Sequence, residues 1–265
     1  MSTARNWRTA HARIMNRMQA RMSASARPAE GFVSQPEPRT VGFVARGRQM
    51  LAGNLMFAGH LVQAEGRSIW AIDPPDPAFE EEIHGFGWLD DLAAVGDAKA
   101  RALAQAWLWE WIRRYGKGRG PGWTPELTGR RVIRWIHHAL FLLRGRKADD
   151  SEGFYSALAA QTLFLAKRAH VAAPGLARFE AMTGLLYAGL SLQGMEAHVA
   201  PAREALGSDC AKQVNAQGGI PTRNPEELLE VFTLLTWAAA ALHDAGRGTP
   251  PAHTAAIERI APTLR

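Results

Sequence analysis

The stretch Asn215-Ala-Gln-Gly-Gly-Ile-Pro-Thr-Arg-Asn-Pro-Glu-Glu-Leu228 gathers the residues best suited to chemistry. A Gly218-Gly219 turn feeds an Arg223-Asn224-Pro225 helix start, so a guanidinium and free N-terminal amides face one place. Such an arrangement receives a carboxylate or a sulfate. Arg134 and Trp135, beside Arg130 and Arg131, are cleft candidates, although a solvated basic face explains them nearly as well. His137 and His138 are adjacent, so on a helix they point about 100° apart and are poorly placed to share a metal. At least one of them reads as a satisfied core or surface histidine. Glu226, Glu227 and Glu230 offer a carboxylate pair for glycoside hydrolysis, yet acids in a first turn are what a helix dipole favours. Trp107, Trp109 and Trp111 alternate along a helix, spread around it, and read as packing.

Other chemistries lack their residues. No Gly-rich phosphate loop follows a strand, no metal-spaced His/Glu pair lies on one helix face, and no nucleophile elbow occurs. The single cysteine, Cys210, excludes a disulfide framework and a cysteine-ligated zinc site. Neither a metal nor a cofactor is expected.

The elements that must carry these residues fall into two styles. From Arg27 to about Leu92 the chain is broken by prolines and scattered glycines. It reads as a wrapping segment with one or two small helices, one near Trp88–Leu92, and brief extended pieces at Val41–Val44 and Ser68–Ile72. After Asp97 come long helices with clear punctuation. One runs from the Asp97 cap to Tyr115, and the next from Thr124-Pro125 to before Gly145. A third starts near Asp150–Ser151, and a fourth runs from after Pro174 to about Gln193–Gly194. A fifth, Glu196–Val214, is interrupted by Pro201 and Gly207. The sixth opens at Asn224-Pro225-Glu226-Glu227, with a capping-box glutamate, and closes at Gly246. The last begins near Pro250–Pro251. Starts mostly 24 to 27 residues apart make a hairpin repeat of about 50 residues, which suits an α/α toroid or a large helical array. Met182–Leu192 and Leu228–Leu242 carry almost no charge on any side, as inner-ring helices would. The fold class is all-α.

In the Gly-Gly loop the chain resembles the heparinase II/III family of polysaccharide lyases. The resemblance extends to Pro38-Arg39 with Gly42, the Gly53–Gly59 stretch, Ser68-Ile-Trp70, His84-Gly-Phe-Gly-Trp88-Leu89-Asp90-Asp91-Leu92 and Gly129-Arg130-Arg131-Val-Ile-Arg134-Trp135-Ile136. It covers most of the chain from about residue 36 onward, and the order and spacing of the motifs make it persuasive. It implies an incomplete α/α toroid of antiparallel helical hairpins with an irregular N-terminal wrapping segment. The expected domains are a basic N-terminal helix over 1–26, a wrapping segment over 27–96 and a toroid over 97–265. In that family a β-sandwich follows the toroid, and the expectation is that it is absent here. The chain departs from the family where Ile220 and Glu227 stand at the positions of its histidine and tyrosine, and its cleft asparagine has no counterpart around Arg178–Glu180. Gly218, Gly219, Arg223 and Pro225 carry over.

The implied function is the helical half of a lyase that cleaves uronic-acid polysaccharide by β-elimination, inactive or weakly active alone. Elimination needs a group that neutralises the uronate carboxylate, a base for the C5 proton and an acid for the leaving oxygen. Arg223 or Asn224 serves the first role, and no tyrosine matches the second. The candidate substrate-binding set is Arg223, Asn224, Gly218, Gly219, Arg134, Trp135, His137 and Trp88. The partner is an acidic polysaccharide or oligosaccharide, and self-association is expected through the face the sandwich would cover. The alternative is a non-catalytic helical module that binds glycan or a partner protein.

Composition bounds these readings. At 265 residues, 47% hydrophobic and 21% charged, the chain can bury a core without staples. Nine tryptophans against three tyrosines suit either a helical core or a sugar platform. The net charge of +6 is uneven: residues 1–48 hold nine arginines against Glu30 and Glu37, while the other 217 carry 22 basic and 23 acidic groups. A basic tail is weak support for a nucleic-acid fold, and no specific nucleic acid is expected. That tail places Trp7, His11, Ile14, Met15, Met18 and Met22 at helical spacing among arginines. It reads as an amphipathic helix packed on its own domain, with a membrane surface or polyanion as the other option. No secretory signal or transmembrane segment is apparent, so the expected location is the cytoplasm, with the periplasm as the alternative the family suggests.

Overall fold

The computed structural model describes residues 2–25, 27, 29–34 and 37–264, with the backbone alone for 2–9 and 148. The chain begins with α1 (Ser2–Ser23), followed by α2 (Val44–Leu51), a hairpin of β1 (Asn54–Phe57) and β2 (His60–Gln63), α3 (Pro77–Gly85) and α4 (Trp88–Val95). The helical array then comprises α5 (Ala98–Tyr115), α6 (Pro125–His137), α7 (Ala139–Leu143), α8 (Ala148–Arg168), α9 (Leu176–Ser191), α10 (Val199–Gln213), α11 (Pro225–Asp244) and α12 (Pro251–Thr263). The all-α reading holds, with one two-stranded sheet among the described residues.

Local chemistry sets the helix starts. Asp97 accepts from Ala100 N at 2.8 Å, and Thr124 accepts from Leu127 N at 3.4 Å ahead of Pro125. Asn224 accepts from Glu226 N at 2.9 Å ahead of Pro225. Each cap satisfies an amide that has no partner inside its helix. Glu227 does not close a capping box; it accepts instead from the Thr222 hydroxyl at 2.7 Å.

Several boundaries differ from the sequence reading, each for a physical reason. Pro201 does not interrupt α10, because it lies in the first turn, where its missing N–H costs nothing. Gly207 also stays helical; a Cβ there would meet Pro250 Cβ at 2.9 Å, so it admits a close neighbour. The second long helix ends at His137, and α7 is a separate short helix after His138. The extended pieces lie elsewhere too. Ile69–Ala71 is a 3-10 turn capped by Ser68, and the strands flank Ala58 and Gly59, whose φ of 48° and 80° make a tight hairpin turn.

The array has two layers and follows the curve of an incomplete toroid. Gly129 of α6 packs against Glu180 and Ala181 of α9, and His137 further along α6 meets Tyr187 further along α9 at 5.1 Å between rings. Gly175 lies beside Thr222 at the start of α11, and Tyr187 donates to Trp237 O further along it at 3.2 Å. So α6, α9 and α11 run side by side in the same direction. The helices between them return outside: α10 and α12 also pair in one direction, with Gly207 at Pro250 and Arg259 bonded to Asn215 O at 3.1 Å. This is an α/α toroid built from antiparallel hairpins. Its tightest joint is between α6 and α9, where a Cβ on Gly129 would lie 2.2 Å from Glu180 O and one on Gly184 2.5 Å from Gly129 Cα.

The tryptophans answer to packing. Trp70, Trp88, Trp107, Trp111, Trp123 and Trp135 are all buried. The Trp70 indole donates to Trp107 O at 2.7 Å, Trp88 to Ile83 O at 3.0 Å and Trp111 to His84 Nδ1 at 3.1 Å. Trp7 belongs to the side chains outside the described set. α1 lies along α8, tied by Arg168 Nε donating to Asn16 Oδ1 at 2.8 Å.

Candidate functional site

The arginine pair on α6 splits between two environments. Arg131 and Trp135 lie four residues apart on the core side, and Arg130 and Arg134, also four apart, face outward into a cleft. Arg131 is fully buried with no acid beside it. It donates to Gln161 Oε1 at 2.6 Å, His84 O at 2.9 Å, Gly122 O at 3.1 Å and Thr128 Oγ1 at 3.3 Å, and its guanidinium lies 4.1 Å from the Trp111 ring centre. Acceptors and ring faces thus replace its water.

The cleft has a volume of about 650 Å³ and opens between α2, the hairpin, α4, α6, α9 and α11. On its floor Arg130 pairs with Glu180 of α9. Burial pushes the Glu180 carboxyl up to about 7, against the pull of Arg130, and Glu180 Oε2 has no hydrogen-bond partner among the described residues. Burial also works against the charge on Arg130, but the attraction of Glu180, Glu230 and Glu126 outweighs it and holds the guanidinium above its ordinary value. The two shifts pull in opposite senses. Burial decides for the carboxyl, which is nearly sealed from solvent, whereas Arg130 keeps almost a third of its side chain exposed.

The second wall is a chain of polar contacts from α4. Asp90 accepts from Arg134 Nε at 3.0 Å and lies 2.8 Å from His138 Nε2, which is 3.0 Å from the Thr40 hydroxyl. Burial raises Asp90, but Arg134, His138 and Thr40 together leave it below the usual carboxylate range. Asp91 accepts from Phe43 N at 2.7 Å and is raised by burial despite that bond. These contacts hold residues 39–43 as a strap along one side of the cleft. A Cβ on Gly42 would lie 2.0 Å from Asp90 O, so a bare backbone is required there. Arg39 anchors the strap to Asp244 at the end of α11. Val41 and Phe43 then stand exposed at the mouth, with Met56 and Leu229. Trp237 of α11 is half-buried and lines the cleft.

The sequence candidates are dispersed. Arg134 lines the cleft, and so does Trp88, although only 1% of Trp88 is accessible. Trp135 is fully buried and its indole N–H has no partner among the described residues. His137 is buried between the Tyr187 and Trp237 rings with neither nitrogen bonded among the described residues, and burial lowers it to about 3, so it is neutral. Gly218, Gly219, Arg223 and Asn224 sit on a loop outside the cleft lining. The loop is fastened to α12, where a Cβ on Gly218 would lie 2.1 Å from Arg259 O and Thr263 donates to Gln217 O at 2.7 Å. Arg223 is exposed, has a φ of 55°, and forms no ion pair among the described residues. Among the described residues no cluster of three or more His, Cys, Asp or Glu is placed to hold a metal, and no helix is long and apolar enough to cross a membrane.

Glu180 and Trp237 are the residues that sequence reasoning did not select. Glu180 is the one acid in α9, an otherwise nearly uncharged helix, and that isolation was a readable signal.

No family model matches the sequence. Solved structures do match, and they cover nearly the whole chain. Heparinase III superposes with a TM-score of 0.70 at 14% identity over 92% of this chain and 42% of its own. The heparan sulfate lyase HepC from Pedobacter heparinus superposes with a TM-score of 0.60 at 16% identity over 96% of this chain and 43% of its own. The chain has the α/α-toroid fold of heparinase III. Among curated proteins, the FtsZ-localized protein C of Caulobacter vibrioides (strain NA1000 / CB15N) is 31% identical over 243 residues, which is 89% of this chain and 41% of that protein. The chain therefore spans about two-fifths of the length of the proteins it matches.

Proposed function

We propose that the cleft binds a segment of acidic, uronic-acid-containing polysaccharide as the helical half of a lyase-like protein. The observation that carries this reading is the pair Arg130 and Arg134, partly exposed on the floor of a cleft in a toroid that superposes on heparinase III. Guanidinium groups four residues apart suit successive carboxylate or sulfate groups, and Trp237 offers a ring for a sugar face. Arg223, exposed at the α11 start, is an outlying contact for a longer chain.

Turnover is a separate matter. An arginine beside a uronate carboxylate makes the C5 proton more acidic, but a base must then remove it. No tyrosine lines the cleft, and His137 is sealed in the core. The reading is therefore binding with little or no elimination by these residues alone. A second reading, a non-catalytic module that meets a partner protein, is favoured by one observation: the 31% identical relative is named for its localisation with FtsZ. The apolar mouth formed by Val41, Phe43, Met56 and Leu229 also favours association between copies.

The test is a titration with a panel of acidic oligosaccharides, run beside an absorbance assay for unsaturated uronate products. Binding without product supports the reading. Absence of binding across the panel, with capture of FtsZ, supports the second reading instead.

A further inference from the structure

The cleft poses an electrostatic problem for an acidic ligand. Its lining holds three arginines, Arg46, Arg130 and Arg134, against five carboxylates, Glu82, Asp90, Asp91, Glu180 and Glu230. With every group ionised an anion would meet net negative charge. Arg134 is already committed to Asp90, and Arg130 to Glu180. Yet among the described residues Glu180 keeps one oxygen, Oε2, without a partner, on a side chain 3% exposed in the cleft floor. A buried carboxylate oxygen with no donor is costly unless it carries a proton.

We infer that anion binding in this cleft is proton-gated: Glu180 takes up a proton on Oε2 as a ligand carboxylate or sulfate replaces it on Arg130. The inference rests on the proposed binding of an acidic saccharide and adds the device by which that ligand gains its arginine. The proton comes from solvent, no covalent bond in the ligand changes, and the charge on the floor is conserved, because the ligand's negative charge replaces that of Glu180.

The charges around Glu180 agree with this. From α6, Arg130 and Arg134 face it, and Glu126 acts on Arg130. From α11, Glu230 faces it and favours the protonated form. From α10, Asp209 is turned to Arg178, 3.7 Å away. With burial these set the carboxyl near 7, where a proton is exchanged at ordinary pH.

The test is calorimetric titration of the full chain with a size-defined heparan sulfate octasaccharide between pH 6 and 8, in two buffers of different ionisation enthalpy. A group titrating near 7 that must be protonated for binding gives about a tenfold loss of affinity across that range. It also gives uptake of about half a proton near pH 7, rising to close to one near pH 8. Glu180→Gln keeps the shape and cannot ionise, so its affinity stays flat with pH and exceeds the wild type at pH 8. Equal pH profiles for the two proteins, or no proton uptake, would overturn the inference. Inorganic sulfate separates the gate from the saccharide reading. Sulfate binding that follows the same pH profile and is lost in Arg130→Gln, with no octasaccharide bound, upholds the gate and removes the saccharide. If neither probe binds, both fail.

Discussion

Replacing Gly129 with alanine is the sharpest perturbation of the framework that holds the cleft. The added methyl would lie 2.2 Å from Glu180 O, 2.6 Å from its carbonyl carbon and 2.9 Å from Ala181 Cα. All three are backbone atoms of α9 and cannot rotate away. A carbon needs about 3.2 Å or more from an oxygen, so α6 must withdraw by roughly 1 Å, and a gap of that size forfeits a quarter to a half of each facing contact. Overpacking of this kind costs about 3 kcal/mol, while the better helix propensity of alanine returns about 1 kcal/mol. The net expectation is a loss of about 2 kcal/mol and a melting temperature lower by roughly 4–8 °C. Gly153→Ala is the matched control, since a Cβ there meets nothing within 4 Å, and it should be neutral or stabilising by up to about 1 kcal/mol. Differential scanning calorimetry of both variants decides. If Gly129→Ala behaves like Gly153→Ala, α6 and α9 do not cross as described.

Three further outcomes follow from the same contacts. Because burial raises Glu180 from 4.5 to about 7, the unfolded chain releases that proton first and stability falls as pH rises between these values. The fall is of the order of 3 kcal/mol, and the difference in unfolding free energy between wild type and Glu180→Gln across this window measures it. Arg131→Ala should cost about 3–5 kcal/mol in chemical denaturation, since it strands buried acceptors and opens a cavity between Trp111 and Gln161. Arg223→Ala should leave melting unchanged, because no ion pair of that side chain among the described residues braces the loop, and should weaken acidic oligosaccharide binding by about 1.5–3 kcal/mol if the ligand reaches it.

How far the sequence revealed this structure depended on the range of each signal. The starts of α5, α6 and α11 were legible because an Asp97, Thr124 or Asn224 cap acts within three residues. The hairpin was not, because its turn is Ala58-Gly59 and lacks the usual Asn-Gly or Asp-Gly pair. Pro201 looked like a break because a first-turn proline and an interior one read alike until the helix start is known. The cleft was the least legible part. Its walls come from Phe43, Asp90, Arg130, Glu180 and Trp237, brought together only by the packing of elements far apart in the chain. Arg134 was recognised as a cleft residue, but the neighbouring Trp135 and His137 turn inward, and the spacing alone did not show which α6 face the core would take.

The most direct measurement is the affinity of the chain for a heparan sulfate octasaccharide at pH 6, compared with that of Arg130→Gln. The account predicts saturable binding by the wild type and at least a tenfold loss in the variant, with unchanged far-ultraviolet circular dichroism. Equal affinities for the two proteins, or no binding by the wild type, would contradict it.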